Sequence, residues 1–449
     1  MHSFRFHLLV LFSTVVFAFI LLNLKLLFSS ATPSAFQTAW IPILLRVERP
    51  ASALDVDCTE LAGADRIVVT IKTGATEANM KIPAQLRTSL RCAPNIHIFS
   101  DMEQTIEGHQ VHDVIKDIPA EVINGSARAD FDLYRKQQEL KDPDKIIERL
   151  RDVRHAEHDE VAAWTLDKYK NIHILEDSWA MQPDRDWYLH IDADTYVVWP
   201  TLLEWTRRLD PSKVLYLGSL SLVNENEFAH GGSGILMSRA AMHKVVVEHN
   251  GTAARWDSRL QHECCGDFGL AMAIREFGIN VTEVSPTIQG DSPRQIPFAP
   301  DHWCKPLATL HHITSYGFEE LRKFEHQRSN RSEPLTFAEL YHGLMADEIF
   351  KLDERNDWDN LSEGNPVPDV HTSEDCRKAC QANEECFQSL YDGTKCRLET
   401  WKFRVGVSRN ATDSNRWQSS WNSSRISNWV SRQKPCEGLI FPLQSNTIS

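Results

Sequence analysis

Asp186-Trp-Tyr-Leu-His-Ile-Asp-Ala-Asp-Thr-Tyr-Val-Val198 is the stretch that decides the fold. Aromatic and branched residues crowd into a short run, which predicts a buried strand. Asp192 and Asp194 interrupt it. A bare carboxylate is costly beside an apolar strand, so these acids need a partner. Successive strand side chains point to opposite faces, which predicts that Asp192 and Asp194 share one face. Two carboxylates so placed suit a hard divalent cation held together with substrate phosphates. A solvated strand-end turn is the plainer account of an Asp-x-Asp. The apolar context favours the metal.

Outward from that strand, the chain alternates. Arg66-Ile-Val-Val-Thr-Ile-Lys-Thr-Gly74 is a β-branched run ending in glycine, expected as a first parallel strand and a ligand-side loop. Ile82 to Leu90 has helical spacing, and Ile96-His-Ile-Phe-Ser-Asp101 is a second short strand. Residues 130–170 carry two amphipathic helices. Val214-Leu-Tyr-Leu-Gly218 is another strand. Strands alternating with helices predict an α/β fold with a mostly parallel sheet, whose ligands bind beyond the carboxyl ends of its strands. This part is bounded at 58–345.

The N-terminus sets the compartment. Leu8 to Phe28 is almost wholly apolar and long enough to span a bilayer, so a transmembrane anchor is expected behind a short tail, 1–7, and before a stem, 29–57. A cleaved signal peptide, with Ser29, Ser30 and Ala31 at the cleavage region, is the rival. Asn-x-Ser/Thr occurs at Asn124, Asn250, Asn280, Asn330, Asn360, Asn410 and Asn422, which fits a secretory-pathway protein. All ten cysteines lie beyond the anchor, where disulfides can form. The expectation is a single-pass type II protein of the Golgi or ER membrane with its body in the lumen. The net charge of −14 argues against a nucleic-acid partner.

Toward the C-terminus the texture changes. Residues 346–369 are expected as a linker, since Asn356 to Asp369 is polar and carries Gly364, Pro366 and Pro368. Cys376-x3-Cys380-x5-Cys386-x9-Cys396, with Cys436 near the end, predicts a small disulfide-rich domain over 370–440. A zinc site competes weakly, because paired Cys-x2-Cys spacing is missing.

Together these residues resemble the fringe and core 1 β1,3-galactosyltransferase group, glycosyltransferase family 31, over roughly residues 60–325. Ile67-Val-Val-Thr-Ile-Lys-Thr-Gly74 is similar to that family's first strand and nucleotide loop, and Arg91-Cys92 falls at its cysteine after the first helix. Asp186 to Val197 resembles its Asp-Trp-Phe…Asp-Asp-Asp-Thr-Tyr-Val signature, and His230-Gly-Gly-Ser-Gly-Ile-Leu-Met-Ser-Arg239 its Gly-Gly-Ala-Gly segment. Cys264-Cys-Gly-Asp267 and Leu310-His-His-Ile313 match its acidic and late-histidine segments. Ala193 and Gly266 depart from the pattern at positions where the family often carries acids. The C-terminal segment resembles a PAN or apple module through its cysteine spacing.

The resemblance implies a GT-A type nucleotide-sugar-binding fold and inverting β1,3-transfer of a sugar, galactose first, from a UDP-sugar to a glycan or glycoprotein acceptor. The metal it implies is Mn²⁺, with Mg²⁺ suited to oxygen-rich ligation as well. Asp194 is then the direct ligand, Asp192 contacts the ribose or a metal-bound water, and His311 is the distal ligand, with His312 as its neighbour and competitor. Asp267 is the general base, against the plainer role of helix cap. Gly231, Gly232 and Gly234 line the donor sugar, or else form a tight turn. Thr73 and Gly74 lie by the uridine or ribose, and Lys72 faces either ligand or solvent. Cys58 and Cys92 are expected to pair, and Cys304 to pair with Cys264 or Cys265. Each half then has one cysteine left over, so that Cys436 bridges the two parts or a thiol stays free. The module is assigned contact with glycan, with the acceptor protein, or with a second copy as a homodimer. The alternative function is an inert, lectin-like or adhesive membrane protein. A glycosidase is disfavoured, since its two carboxylates must flank a sugar.

Overall fold

The β-branched and aromatic runs form strands, and the computed structural model places them in one sheet. It describes residues 58–142, 144–146, 156–351, 353–410 and 416–443. The tail 1–7, the apolar run Leu8–Phe28 and the stem 29–57 lie outside the described residues. Among the described residues no helix is long and apolar enough to cross a membrane.

The strands are β1 (Ile67–Lys72), β2 (Ile96–Ser100), β3 (Gln104–Ile106), β4 (His109–Asp113), β5 (Trp187–Asp192), β6 (Tyr196–Val197), β7 (Tyr216–Gly218), β8 (Leu220–Val223), β9 (Asn226–Ala229), β10 (Ile235–Ser238), β11 (Thr282–Glu283) and β12 (Thr309–Leu310). Eight of them make the central sheet, in the order β11-β7-β10-β5-β1-β2-β4-β3. β1 pairs parallel with β2 and with β5, β2 with β4, and β7 with β11. β10 runs antiparallel between β5 and β7, so the sheet is parallel-rich but mixed. Both faces of its centre are buried. Val68 and Tyr188 enter one core cluster, while Ile67, Val69, Ile71, Trp187, Leu189 and Ile191 enter the other. That is why β1 and β5 read as near-continuous apolar runs rather than as alternating ones. Helix Ala78–Arg87 covers the second face through Ala78, Ile82 and Leu86, and helix Lys170–Met181 covers the first through Ile172 and Leu175.

The C-terminal part departs from the sequence expectation. The stretch 346–369, expected as a linker, carries helix Ala346–Phe350 and the strands β13 (Glu354–Asn356), β14 (Trp358–Asp359) and β15 (Pro366–Val367). With β16 (Gln388–Tyr391), β17 (Cys396–Glu399) and β19 (Gln418–Trp421), β13 and β15 build a second sheet, β13-β19-β16-β17-β15; β14 pairs with β18 (Val407–Ser408). The prolines misled because Pro366 sits in the two-residue strand β15, and a strand that short shows no alternation. Asn360, one of the glycosylation-type asparagines, is fully buried here, and its side-chain amide donates to the Ser389 carbonyl at 2.9 Å. Asn124, Asn250, Asn280, Asn330 and Asn410 are exposed.

Among the described residues no cysteine is free, which removes the zinc competitor. Cys376 pairs with Cys396 and Cys380 with Cys386, pinning helix Ser373–Ala382 to its sheet. Cys58 and Cys92 are each disulfide-bonded. The expected pairing of Cys304 with Cys264 or Cys265 is corrected: those adjacent cysteines pair with each other, and Cys304 pairs with Cys436, 132 residues away.

That bridge seals a shared core. Tyr196, Phe298, Trp303, Phe318 and Phe337 of the N-terminal part pack in one cluster with Phe387, Phe403, Trp421 and Ile426 of the C-terminal part. Phe298 and Phe403 exchange backbone hydrogen bonds at 3.0 and 3.1 Å. Further on, Phe441 is buried against the core of the central sheet, and Trp205 Nε1 donates to the Pro442 carbonyl at 3.1 Å. Each large apolar side chain in such a core contributes about 1.5–3 kcal/mol. A chain cut after Asp357 is therefore expected to lose its cooperative thermal transition and bind a hydrophobic dye. A sharp melt from that truncation, read by circular dichroism, would show that the N-terminal part closes its core alone.

Candidate active site

The crevice lies where β1 and β5 end. Lys72 and Asp192 are register partners on these parallel strands, and both stand at the carboxyl end. Lys72 does not face solvent: its ammonium pairs with Asp167 and lies 3.3 Å from Asp192. Lys170, 1 % exposed, extends this buried network, 3.0 Å from Asp167 and donating to the Thr73 carbonyl at 2.8 Å. Burial pushes the Lys72 ammonium down, but the carboxylates of Asp167 and Asp192 outweigh it and hold it above its ordinary range. Burial raises the Asp192 carboxyl, with Lys72 opposing. Beneath them on the same face, His190 bonds Thr70, and burial lowers its imidazole to about 3, so it is neutral.

Asp194 goes elsewhere. The strand ends at Asp192, and Ala193 and Asp194 form the turn that follows. The Ala193 N–H still donates to the Lys72 carbonyl at 3.1 Å, and Ala193 packs in the same core cluster as Ile191, so Asp192 and Asp194 both stand at this end of the sheet. Asp194 Oδ1 meets His311 Nε2 at 3.0 Å, and Oδ2 meets Lys81 Nζ at 3.2 Å. Burial pushes the Asp194 carboxyl up, but the His311 hydrogen bond and the charges of His311 and Lys81 hold it well below the usual carboxylate range.

His311 and His312 follow directly on β12. This two-residue strand pairs antiparallel with β6, Leu310 against Tyr196 and Thr309 against Val197. Just past the pairing, the Ile313 N–H donates to the Asp194 carbonyl at 2.9 Å. His312 has φ +56°, a left-handed backbone that is uncommon outside glycine. With that turn the two rings lie 3.9 Å apart by centroid. Asp194, His311 and His312 each offer an atom within 4.8 Å of the others, a set that fits one metal ion. His311 Nδ1 is buried and has no hydrogen-bond partner among the described residues. Asp192 is not in this set; it is committed to Lys72.

The glycine segment separates into three jobs. Gly231 N–H donates to Asp267 Oδ2 at 2.9 Å. A Cβ on Gly232 would lie 2.2 Å from the His311 ring, so only glycine fits there. Gly234, at φ +104°, closes a turn whose N–H returns to the Gly231 carbonyl at 2.9 Å. Two hydroxyls clamp the segment: Thr195 donates to the Gly232 carbonyl and Thr309 to the Ser233 carbonyl, both at 2.7 Å. Asp267 is partly exposed in the first turn of helix Gly266–Arg275, whose cap position is Cys265. Its other oxygen takes the Phe268 N–H at 2.9 Å. Thr73 is buried and Gly74 opens the turn into helix Ala78–Arg87, with the Gly74 N–H on Glu77 at 3.3 Å; both stand at the end of β1 beside the crevice. Sequence reasoning missed Lys81, Asp167 and His230. A lysine at helical spacing signals only a solvated face, and His230 carried no motif of its own.

Residues 62–288 match the family model described as Fringe-like. Chondroitin sulfate synthase 3 of Mus musculus and of Homo sapiens each share 30 % identity with this chain over 122 residues. The match covers 25 % of this chain but 12 % of those relatives, so the chain spans only a small part of their length. A parallel-rich sheet, an acid pair at the end of its β5 strand and a family match across half the chain agree: this chain belongs to the Fringe-like family of glycosyltransferases, family 31.

Proposed function

We propose that this protein is an inverting β1,3-glycosyltransferase of GT-A type, moving a sugar, galactose first, from a UDP-sugar to a hydroxyl of a glycan or glycoprotein. The observation that carries this is the contact of Asp194 with His311 at 3.0 Å, with His312 alongside, at the carboxyl-end crevice of the sheet. Ligands of open α/β sheets bind at such crevices.

Asp194, His311 and His312 would hold a divalent ion, and one carboxylate with two imidazoles fits Mn²⁺ better than Mg²⁺. Such an ion supplies Lewis-acid stabilisation to the leaving diphosphate. Lys81 adds a fixed cation beside Asp194. The Lys72–Asp192 pair at the end of β1 lies where the nucleotide's ribose would sit. Asp267 is the base. Its orientation is set by the Gly231 and Phe268 N–H groups, and its partial exposure leaves lone pairs for an acceptor hydroxyl. The acceptor oxygen attacks the anomeric carbon from the face opposite the diphosphate. The bond from that carbon to the diphosphate breaks, and the hydroxyl proton passes to Asp267. Gly231 and Gly232, with no side chains, let Asp267 and the His311 ring lie against the backbone.

We place the activity in the Golgi or ER lumen on a type II anchor, a location supported by the disulfides and the exposed glycosylation-type asparagines. The C-terminal part, PAN- or apple-like in cysteine spacing, we assign to acceptor binding or self-association.

Release of UDP from a panel of UDP-sugars, with and without Mn²⁺, tests the reading. Asp194→Ala should abolish release and metal-dependent UDP binding while the thermal melt stays cooperative; unchanged UDP and Mn²⁺ binding would remove Asp194 from the ligand set. Asp267→Asn should keep donor binding and lose about 10²–10⁴-fold in transfer. Transfer within a few-fold of the parent would leave Asp267 as a tether for Gly231 alone.

A further inference from the structure

His230 stands between β9 and the glycine turn. Its backbone N–H donates to the Ser219 carbonyl at 2.9 Å, which fixes the residue where β7 and β8 meet. Its ring is oriented through Nδ1. The Ser233 N–H lies 3.2 Å from that nitrogen and Ser233 Oγ 2.7 Å from it. A backbone N–H can only donate, so Nδ1 is the acceptor and bears no proton. The neutral ring therefore carries its proton on Nε2, a tautomer assigned from this bonding pattern.

The Nδ1 edge faces protein, toward Ser233 and Gly290: a Cβ on Gly290 would come within 3.6 Å of it. The residue is partly exposed, and its ring meets the His311 ring edge-on, with centroids 5.5 Å apart. Asp267, His311, Asp192 and Lys72 are its charged neighbours. His230 thus stands between the group assigned to the acceptor proton, Asp267, and the group assigned to the diphosphate, Asp194 with His311. The transferred sugar must bridge the same two groups. An uncharged N–H donor suits a sugar hydroxyl, while the phosphates have Lys81 and the metal set.

We propose that His230 Nε2–H donates a hydrogen bond to a hydroxyl of the transferred sugar and so helps decide which donor is used. This rests on the glycosyltransferase function proposed above. The test compares the full chain in mild detergent with His230→Ala and His230→Gln. Affinities are measured calorimetrically with Mn²⁺ for UDP, UDP-galactose, UDP-glucose and UDP-N-acetylglucosamine. UDP lacks the sugar, so its affinity should stay within about twofold in both variants, which also certifies the fold. For the preferred donor, His230→Ala should weaken binding by about 3- to 10-fold relative to UDP, the loss of one neutral hydrogen bond. His230→Gln, which keeps an N–H donor, should recover most of that. In transfer assays the loss should fall on the donor KM rather than on kcat. Equal weakening of UDP and UDP-sugar would overturn the assignment, since the ring would then only prop His311. Unchanged donor affinity in His230→Ala would overturn it too. A parent chain that binds neither UDP nor any of the sugars would overturn the glycosyltransferase reading, and this assignment with it.

Discussion

The pairing of β6 with β12 is the constraint on which the site depends. Two residues on each strand, Tyr196 with Val197 and Thr309 with Leu310, bring the histidine pair to the turn after β5. Without that short ladder, Asp194 would face Lys81 alone. Thr309 adds a second duty, because its hydroxyl holds the Ser233 carbonyl and so positions the glycine segment against His311. Tyr196 adds a third. Its ring lies in the core shared with the C-terminal part, and its hydroxyl bonds the half-buried Glu325. The candidate metal set, the glycine turn and the C-terminal part thus meet at one two-residue pairing.

The charges of the crevice are arranged in two groups. Asp192 belongs to a network with Lys72, Asp167 and the buried Lys170. Asp194 belongs to a second one with Lys81, His311 and His312. The network around Asp192 is partnered within the protein, as buried charges must be. Among the described residues the set around Asp194 leaves a buried imidazole nitrogen without a partner, which suits it to gain one.

Much of this was legible in the sequence. The runs at 66–74, 96–101 and 186–198 each form a strand of the central sheet, because apolar burial on both faces leaves a continuous signature. Asp194, His311, Asp267 and the glycines, named from ordered motifs, converge on one crevice. What stayed hidden has a common cause. β6, β12, β14 and β15 are two residues long, too short for any periodicity to show. The different partners of Asp192 and Asp194, Lys72 for one and His311 with Lys81 for the other, come from other elements of the chain, which a local pattern does not show. Lys72 looked like a surface lysine because its partner Asp167 lies on a distant helix. Cysteine spacing identified a leftover in each half and offered Cys436 as the bridge, but not Cys304 as its partner.

The shared core also has a meaning for synthesis. Proteins generally begin to fold from the N-terminal side as they emerge. Here the first half can pair its strands early, yet the cluster around Tyr196 and Phe298 is completed only by Phe387, Phe403 and Trp421. Until those residues have been made, apolar surface beside β6 stays open to water and to chaperones. Closure of the crevice is thereby tied to possession of the C-terminal part. A prematurely ended chain would be recognisable by its exposed aromatics before it could act.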